Sequence, residues 1–140
     1  FHCSIQILSA QLRFRHWHRL FTVIENQTVD VSLQRARKFA TKPLKQAVIS
    51  ASAMSLLYPQ DGLPGYSQAQ FIDDLVDQAV GDIRSCFDNG AAVVQVDFTE
   101  GRLAVKLDPG KGLLRQFIDL NNRVFAEFSP AERQRIGVHT

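Results

Sequence analysis

Hydrophobic positions along this chain switch period in a regular way. Leu44 to Ile49 is a short, mostly apolar run that ends in the small polar stretch Ser50-Ala51-Ser52, the pattern of a strand feeding a loop. Residues 53–58 are expected to form a short helix, before Pro59, Gly62, Pro64 and Gly65 break the chain into an irregular loop. Ser67 then offers a hydroxyl to the free amides of a first helical turn. Behind it Phe71, Leu75, Val76, Ala79, Ile83, Cys86 and Phe87 recur at helical spacing, while Asp73, Asp74, Asp77, Asp82 and Arg84 fall largely on the other face. Asn89-Gly90 is read as the stop, both residues tolerating the left-handed backbone of a helix end.

Residues 91–97, Ala-Ala-Val-Val-Gln-Val-Asp, read as a strand that is apolar on both faces, as buried parallel strands are. A loop is expected over residues 98–111, with a turn at Asp108-Pro109-Gly110. Leu113, Leu114, Phe117, Ile118, Leu120, Val124, Phe125 and Phe128 give a second amphipathic helix. Ser129-Pro130-Ala131-Glu132 has a helix-start pattern, and residues 135–140 a short buried strand. Nearer the start, Asp30 is placed as the cap of a helix through Lys38, with Val31, Leu33, Ala36 and Phe39 inward, and residues 12–24 hold one strand. The order β-α-β-α-β-α-β implies an α/β protein with a parallel sheet and right-handed crossovers. The spacing of its units suits about half of a (β/α)8 barrel, a partial TIM barrel; an open doubly wound sheet is the competing architecture. The chain divides into residues 1–43, with one strand and one helix, and residues 44–140, the regular part. It reads as a piece of a longer protein.

Composition narrows the function classes. A hydrophobic content of 45% and a charged content of 21% are those of a globular domain, and a net charge of +2 gives no footprint for nucleic acid or an acidic membrane. No apolar run reaches the roughly 20 residues of a membrane span. Cys3 and Cys86 lie far apart and suggest no disulfide framework, so a reducing, cytoplasmic setting is expected. Arg13, Arg15, His16, Trp17, His18 and Arg19 interleave basic and aromatic residues, but at this charge a solvated edge explains them better than a nucleic-acid patch. Cys86, on an apolar helix face, reads as a small core residue.

Chemistry in a parallel α/β protein gathers where strands end. His139, at the carboxyl end of the last strand, is either a hydrogen-bonded structural imidazole or a metal ligand or acid–base group. Asp97 closes the preceding strand, where a carboxylate needs a partner or a solvent-lined mouth. It either caps the next loop or anchors a ligand's ammonium group. Glu100 and Arg102 flank Gly101 beside it, and a surface ion pair is the bland account of that loop. Ser50 and Ser52 sit at the mouth of the earlier strand, as ligand contacts or loop formers. No nucleophile elbow, glycine-rich phosphate loop or paired CxxC is present.

Several stretches carry a resemblance: Lys45-Gln46-Ala47-Val48-Ile49-Ser50, Leu56-Leu57-Tyr58-Pro59, Pro64-Gly65-Tyr66-Ser67, residues 94–103, Lys106-Leu107-Asp108-Pro109, Asp119-Leu120-Asn121-Asn122-Arg123 and Ile136-Gly137-Val138-His139-Thr140. Together, over residues 43–140, they resemble the carboxyl-terminal catalytic barrel of the cobalamin-independent methionine synthase family, in a divergent methionine-synthase-like branch. The resemblance implies methyl transfer from 5-methyltetrahydrofolate to the thiol of homocysteine, giving methionine. It also implies a zinc ion held by a His-x-Cys strand end and further ligands. His139 matches that histidine, and the cysteine would follow Thr140. Asp97 matches the aspartate that contacts the homocysteine amino group. Glu100 stands in for a pterin-side glutamate, Tyr58 lies near a pterin-stacking tryptophan, and Ser50 joins the substrate side. Zinc would deprotonate the bound thiol, whose free pKa is about 8.5. Phe98 and Thr99 stand where many members carry glutamate and proline, which leaves other thiol acceptors and a non-folate donor open. Two other readings are kept: a metal-free, uroporphyrinogen-decarboxylase-like lyase in which Asp97 and Arg102 bind a polyanion, and an inactive truncated remnant.

Overall fold

The computed structural model describes residues 32–140. The strand expected in residues 12–24, the Asp30 cap, Val31 and the basic-aromatic stretch 13–19 lie outside them. A first helical segment, α1, covers residues 32–37, followed by β1 (Lys45–Ile49), α2 (Ala51–Ser55), α3 (Gln68–Asp88), β2 (Val93–Asp97), α4 (Glu100–Leu107), α5 (Gly112–Ala126), α6 (Pro130–Arg133) and β3 (Ile136–His139). The three strands form one parallel sheet in the order β1-β2-β3, so the protein is α/β. No helix of the described residues is long and apolar enough to cross a membrane.

Local chemistry fixes most boundaries. The Ser67 hydroxyl accepts from the Gln70 amide while the Gln70 side chain reaches back to the Ser67 amide, a full capping box for α3. At its end Gly90 alone takes the left-handed backbone, with φ +88; Asn89 stays at φ −87. The same box recurs at Ser129 and Glu132, which start α6 with Pro130 at its first position. The helix expected over residues 53–58 begins earlier, at Ala51, because Ser50 accepts from the Ala53 amide and caps it there.

One face of the sheet carries the core. Val94 and Val96 of β2 are buried against Val76, Val80, Ile83 and Cys86 of α3 and Leu120 and Val124 of α5, with Phe128 beyond and Val48 and Ile136 at the margins. Each such side chain, fully buried, contributes about 1.5–3 kcal/mol. Leu33 of α1 joins this core at 2% exposure, but Ala36 and Phe39, also expected inward, are exposed, Phe39 at 85%. Phe39 lies past the end of α1, in the turn that follows it. At the start of β3, Arg135 lies over the Phe87 ring at 4.2 Å. Its guanidinium donates to the Ala91 and Ala92 carbonyls at 2.7 and 3.1 Å.

Two expectations change. Residues 98–111 are not all loop: α4 occupies eight of them. Its Ala104 is fully buried beside Phe98 and Phe117, and no side chain caps its start, so packing rather than a local signal makes this helix. Strand β3 is not buried. It is an edge strand of the described sheet, its Val138 is 53% exposed, and only Ile136 is half-covered.

Candidate functional site

Because all three strands run the same way, the residues that end them meet at one edge of the sheet. The opposite face from the core is open: Lys45, Ala47, Ile49, Val93, Gly137 and His139 are exposed, and Gln95 and Asp97 half-buried. Strand alternation puts these eight positions on one side, since paired residues of parallel strands share a face. Asp97 and His139 are direct register partners on β2 and β3. The backbone ladder continues past them, with the Phe98 amide donating to the His139 carbonyl at 2.7 Å.

The two side chains stand together. His139 Nδ1 lies 3.5 Å from Asp97 Oδ1, an ion pair when the imidazole is protonated. With exposures of 60% and 41% this contact adds little stability and leaves both groups within reach of a ligand. Asp97 Oδ1 also accepts from Gln95 Nε2 at 2.6 Å. Gln95 Oε1 in turn accepts from Lys45 Nζ at 2.6 Å. A polar line thus crosses the open face from β1 to β3. Sequence reasoning passed over Gln95 and Lys45, although Gln95 is the lone polar residue inside the β2 run and sits two before Asp97, hence on its face.

A second polar group lies just behind this edge, and it is buried. Glu100, in the first turn of α4, is 6% exposed and forms no ion pair with the exposed Arg102. Its Oε1 accepts from the hydroxyls of Ser50, at 2.5 Å, and of Ser52. Asn121 of α5 completes the group: its Nδ2 donates to Ser52 Oγ at 2.7 Å and its Oδ1 accepts from the Ser52 amide at 3.2 Å. The Oε2 atom of Glu100 is buried without a hydrogen-bond partner among the described residues. The surface ion pair is therefore corrected to a buried carboxylate. Ser50, read as a mouth hydroxyl, spends its bonds on α2 and on Glu100. Gly101 sits where a Cβ would come within 2.8 Å of the Phe98 ring, so glycine lets that ring pack over the helix start. Asn121 was not foreseen, since a single asparagine on an apolar helix face reads as noise.

Tyr58 stands elsewhere. Its hydroxyl donates to the Tyr66 carbonyl at 2.8 Å and accepts from the Leu63 amide, and its ring packs on Phe71 at 5.3 Å. These bonds order the loop 58–66, and none links Tyr58 to Asp97 or His139. Cys86 is buried in the core, as expected.

What the edge can do chemically follows from its free atoms. Asp97 Oδ2 has no partner among the described residues and can accept from a ligand's cationic group. The Nε2 of His139, across the ring from Asp97, can bind a metal or exchange a proton. A zinc site, however, takes three protein ligands when catalytic and four when structural. No group of three or more His, Cys, Asp or Glu suited to a metal exists among the described residues. His139 and Asp97 alone do not complete one. No protein-family model, no curated protein and no solved structure matches the chain.

Proposed function

We propose that the chain is the middle of a (β/α)8-barrel methyltransferase acting on a small thiol. Asp97 holds the substrate's ammonium group, and His139 contributes one donor toward zinc. The observation that carries this is the pairing of Asp97 with His139 at the carboxyl ends of adjacent parallel strands, on a face that no helix of the described residues covers. That pairing brings together, 3.5 Å apart, the two residues on which the methionine-synthase resemblance places zinc and substrate.

The two faces of the sheet support the barrel. A doubly wound sheet carries helices on both sides, so both faces are apolar. Here the helix-bearing face is Val48, Val94, Val96, Ile136 and Val138 with Gln46, while the other presents Lys45, Gln95, Asp97 and His139 among Ala47, Gly137, Ile49 and Val93. Asp97 and His139, at the carboxyl ends of their strands, stand where a barrel of this kind would carry its site. Homocysteine as acceptor and 5-methyltetrahydrofolate as donor remain the reading's first choices. The Glu100 cluster acts behind the site, holding the ends of β1 and β2 to α5. When bound, zinc would supply a thiolate at neutral pH; its other ligands would lie outside the described residues.

The test uses the complete gene product. Metal analysis after dialysis, with methyl transfer from methyltetrahydrofolate to a panel of thiols, should show bound zinc and transfer to an amino-acid thiol. His139→Ala should lose both. Metal and transfer retained in that variant would exclude the ligand role. A protein with neither zinc nor methyl transfer would favour the metal-free lyase or the inactive remnant.

A further inference from the structure

Asp97 is useful to a cationic ligand only if one of its oxygens is held ready, and an aspartate at a strand end rotates freely unless something restrains it. The restraint here is Gln95, two residues earlier on the same strand face, whose Nε2 donates to Oδ1 at 2.6 Å. An amide side chain can bond in either of two flipped orientations. Lys45 Nζ removes that choice: an ammonium donates only, so it must take Oε1, which it does at 2.6 Å. The amide hydrogens are then forced toward Asp97. With Oδ1 engaged by Gln95 and facing His139, Oδ2 is the oxygen left for a ligand on the open face.

We propose that Gln95, oriented by Lys45, is a positioning residue that sets which oxygen of Asp97 receives the ligand's ammonium group. This rests on the reading of Asp97 given above and adds the residues that make it selective for an amino-bearing thiol. Neither residue touches the ligand. Removing either should therefore weaken recognition of the amino group and leave the rest of binding intact.

The experiment compares L-homocysteine with 4-mercaptobutanoate, the same thiol acid without the amino group, by titration calorimetry on the complete gene product. The ratio of the two dissociation constants reports the amino contribution. Losing an aligned charge-assisted hydrogen bond corresponds to about a tenfold change or more. Asp97→Asn should bring the ratio close to one. Gln95→Leu should lower it about tenfold and Lys45→Met about threefold, both leaving 4-mercaptobutanoate binding unchanged, and Lys45→Arg should restore it. A wild-type ratio in Gln95→Leu, with Asp97→Asn altered, overturns the positioning role alone. A wild-type ratio in Asp97→Asn overturns the Asp97 reading and this inference with it. Lys45 is exposed, so if Gln95→Leu fails to fold, Lys45→Met decides the question in the same way.

Discussion

Glu100→Ala is the substitution whose cost the structure lets one work out. Glu100 Oε1 accepts two hydroxyl donors in a site 6% exposed. Hydrogen bonds to a charged group contribute about 1.5–3 kcal/mol each, so their loss is about 3–6 kcal/mol. Against this stands Oε2, buried without a partner among the described residues, whose relief returns about 1–3 kcal/mol. Midpoint values give a net destabilisation of about 2.5 kcal/mol, within a span of about 0–5 kcal/mol by these terms. Glu100→Gln keeps the acceptor for both serines, weakened by loss of charge, and places an amide where Oε2 stood; it should cost about 1 kcal/mol. Urea unfolding of the chain, followed by circular dichroism, measures both midpoints and slopes. The reasoning fails if alanine costs less than about 0.5 kcal/mol or if glutamine costs more than alanine.

Other outcomes follow from the helices and their ends. Burial raises the Asp82 carboxyl above its ordinary 3.8, partly opposed by its bond from Gln78, so its charge opposes folding at neutral pH. Asp82→Asn should raise the urea midpoint at pH 7, and the gain should vanish as pH falls below the ordinary value, where both states bind the proton. Asp108 is shifted the opposite way, chiefly by the Leu113 amide. Its contribution is present above 3.8 and lost as pH falls through the depressed value, so the penalty of Asp108→Ala, read by thermal melts, should shrink toward acid pH. Lys111 has φ +61 ahead of α5, and Lys111→Gly should stabilise by up to about 1 kcal/mol in the same denaturation assay. An unchanged or lower midpoint would contradict that. Gly90→Ala, at φ +88 with Arg37 Nη1 2.8 Å from the new Cβ, should destabilise by about 1 kcal/mol or more.

How much of this was legible in the chain depends on the range of the forces. Helix α3 is written locally: Ser67 and Gln70 close its start, Gly90 ends it, and the apolar period runs between. The line from Asp97 to His139 is nearly as plain, because strand alternation and parallel order place both at one end. Helix α4 was hidden, since its case rests on Ala104 packing beside Phe117 and Thr99 supplies no side-chain cap. The serine–glutamate–asparagine group was hidden for a stronger reason. Its bonds join positions 48 to 69 residues apart, and no periodicity reports such meetings. Exposure of β3 was misjudged because an apolar sequence tells how a strand is built and not whether a neighbour lies over it.

Arg135 bears on the site from the far end of its strand. By gripping the Ala91 and Ala92 carbonyls while stacked on Phe87, it acts as a stop that keeps β3 from sliding along β2. A slide of a single residue would swing every side chain of β3 to the other side of the sheet. The imidazole would then turn to the helix-bearing side of the sheet and Val138 would take its place beside the carboxylate. The meeting of Asp97 and His139 is thus guarded by a cation and a ring at the opposite end of the strand.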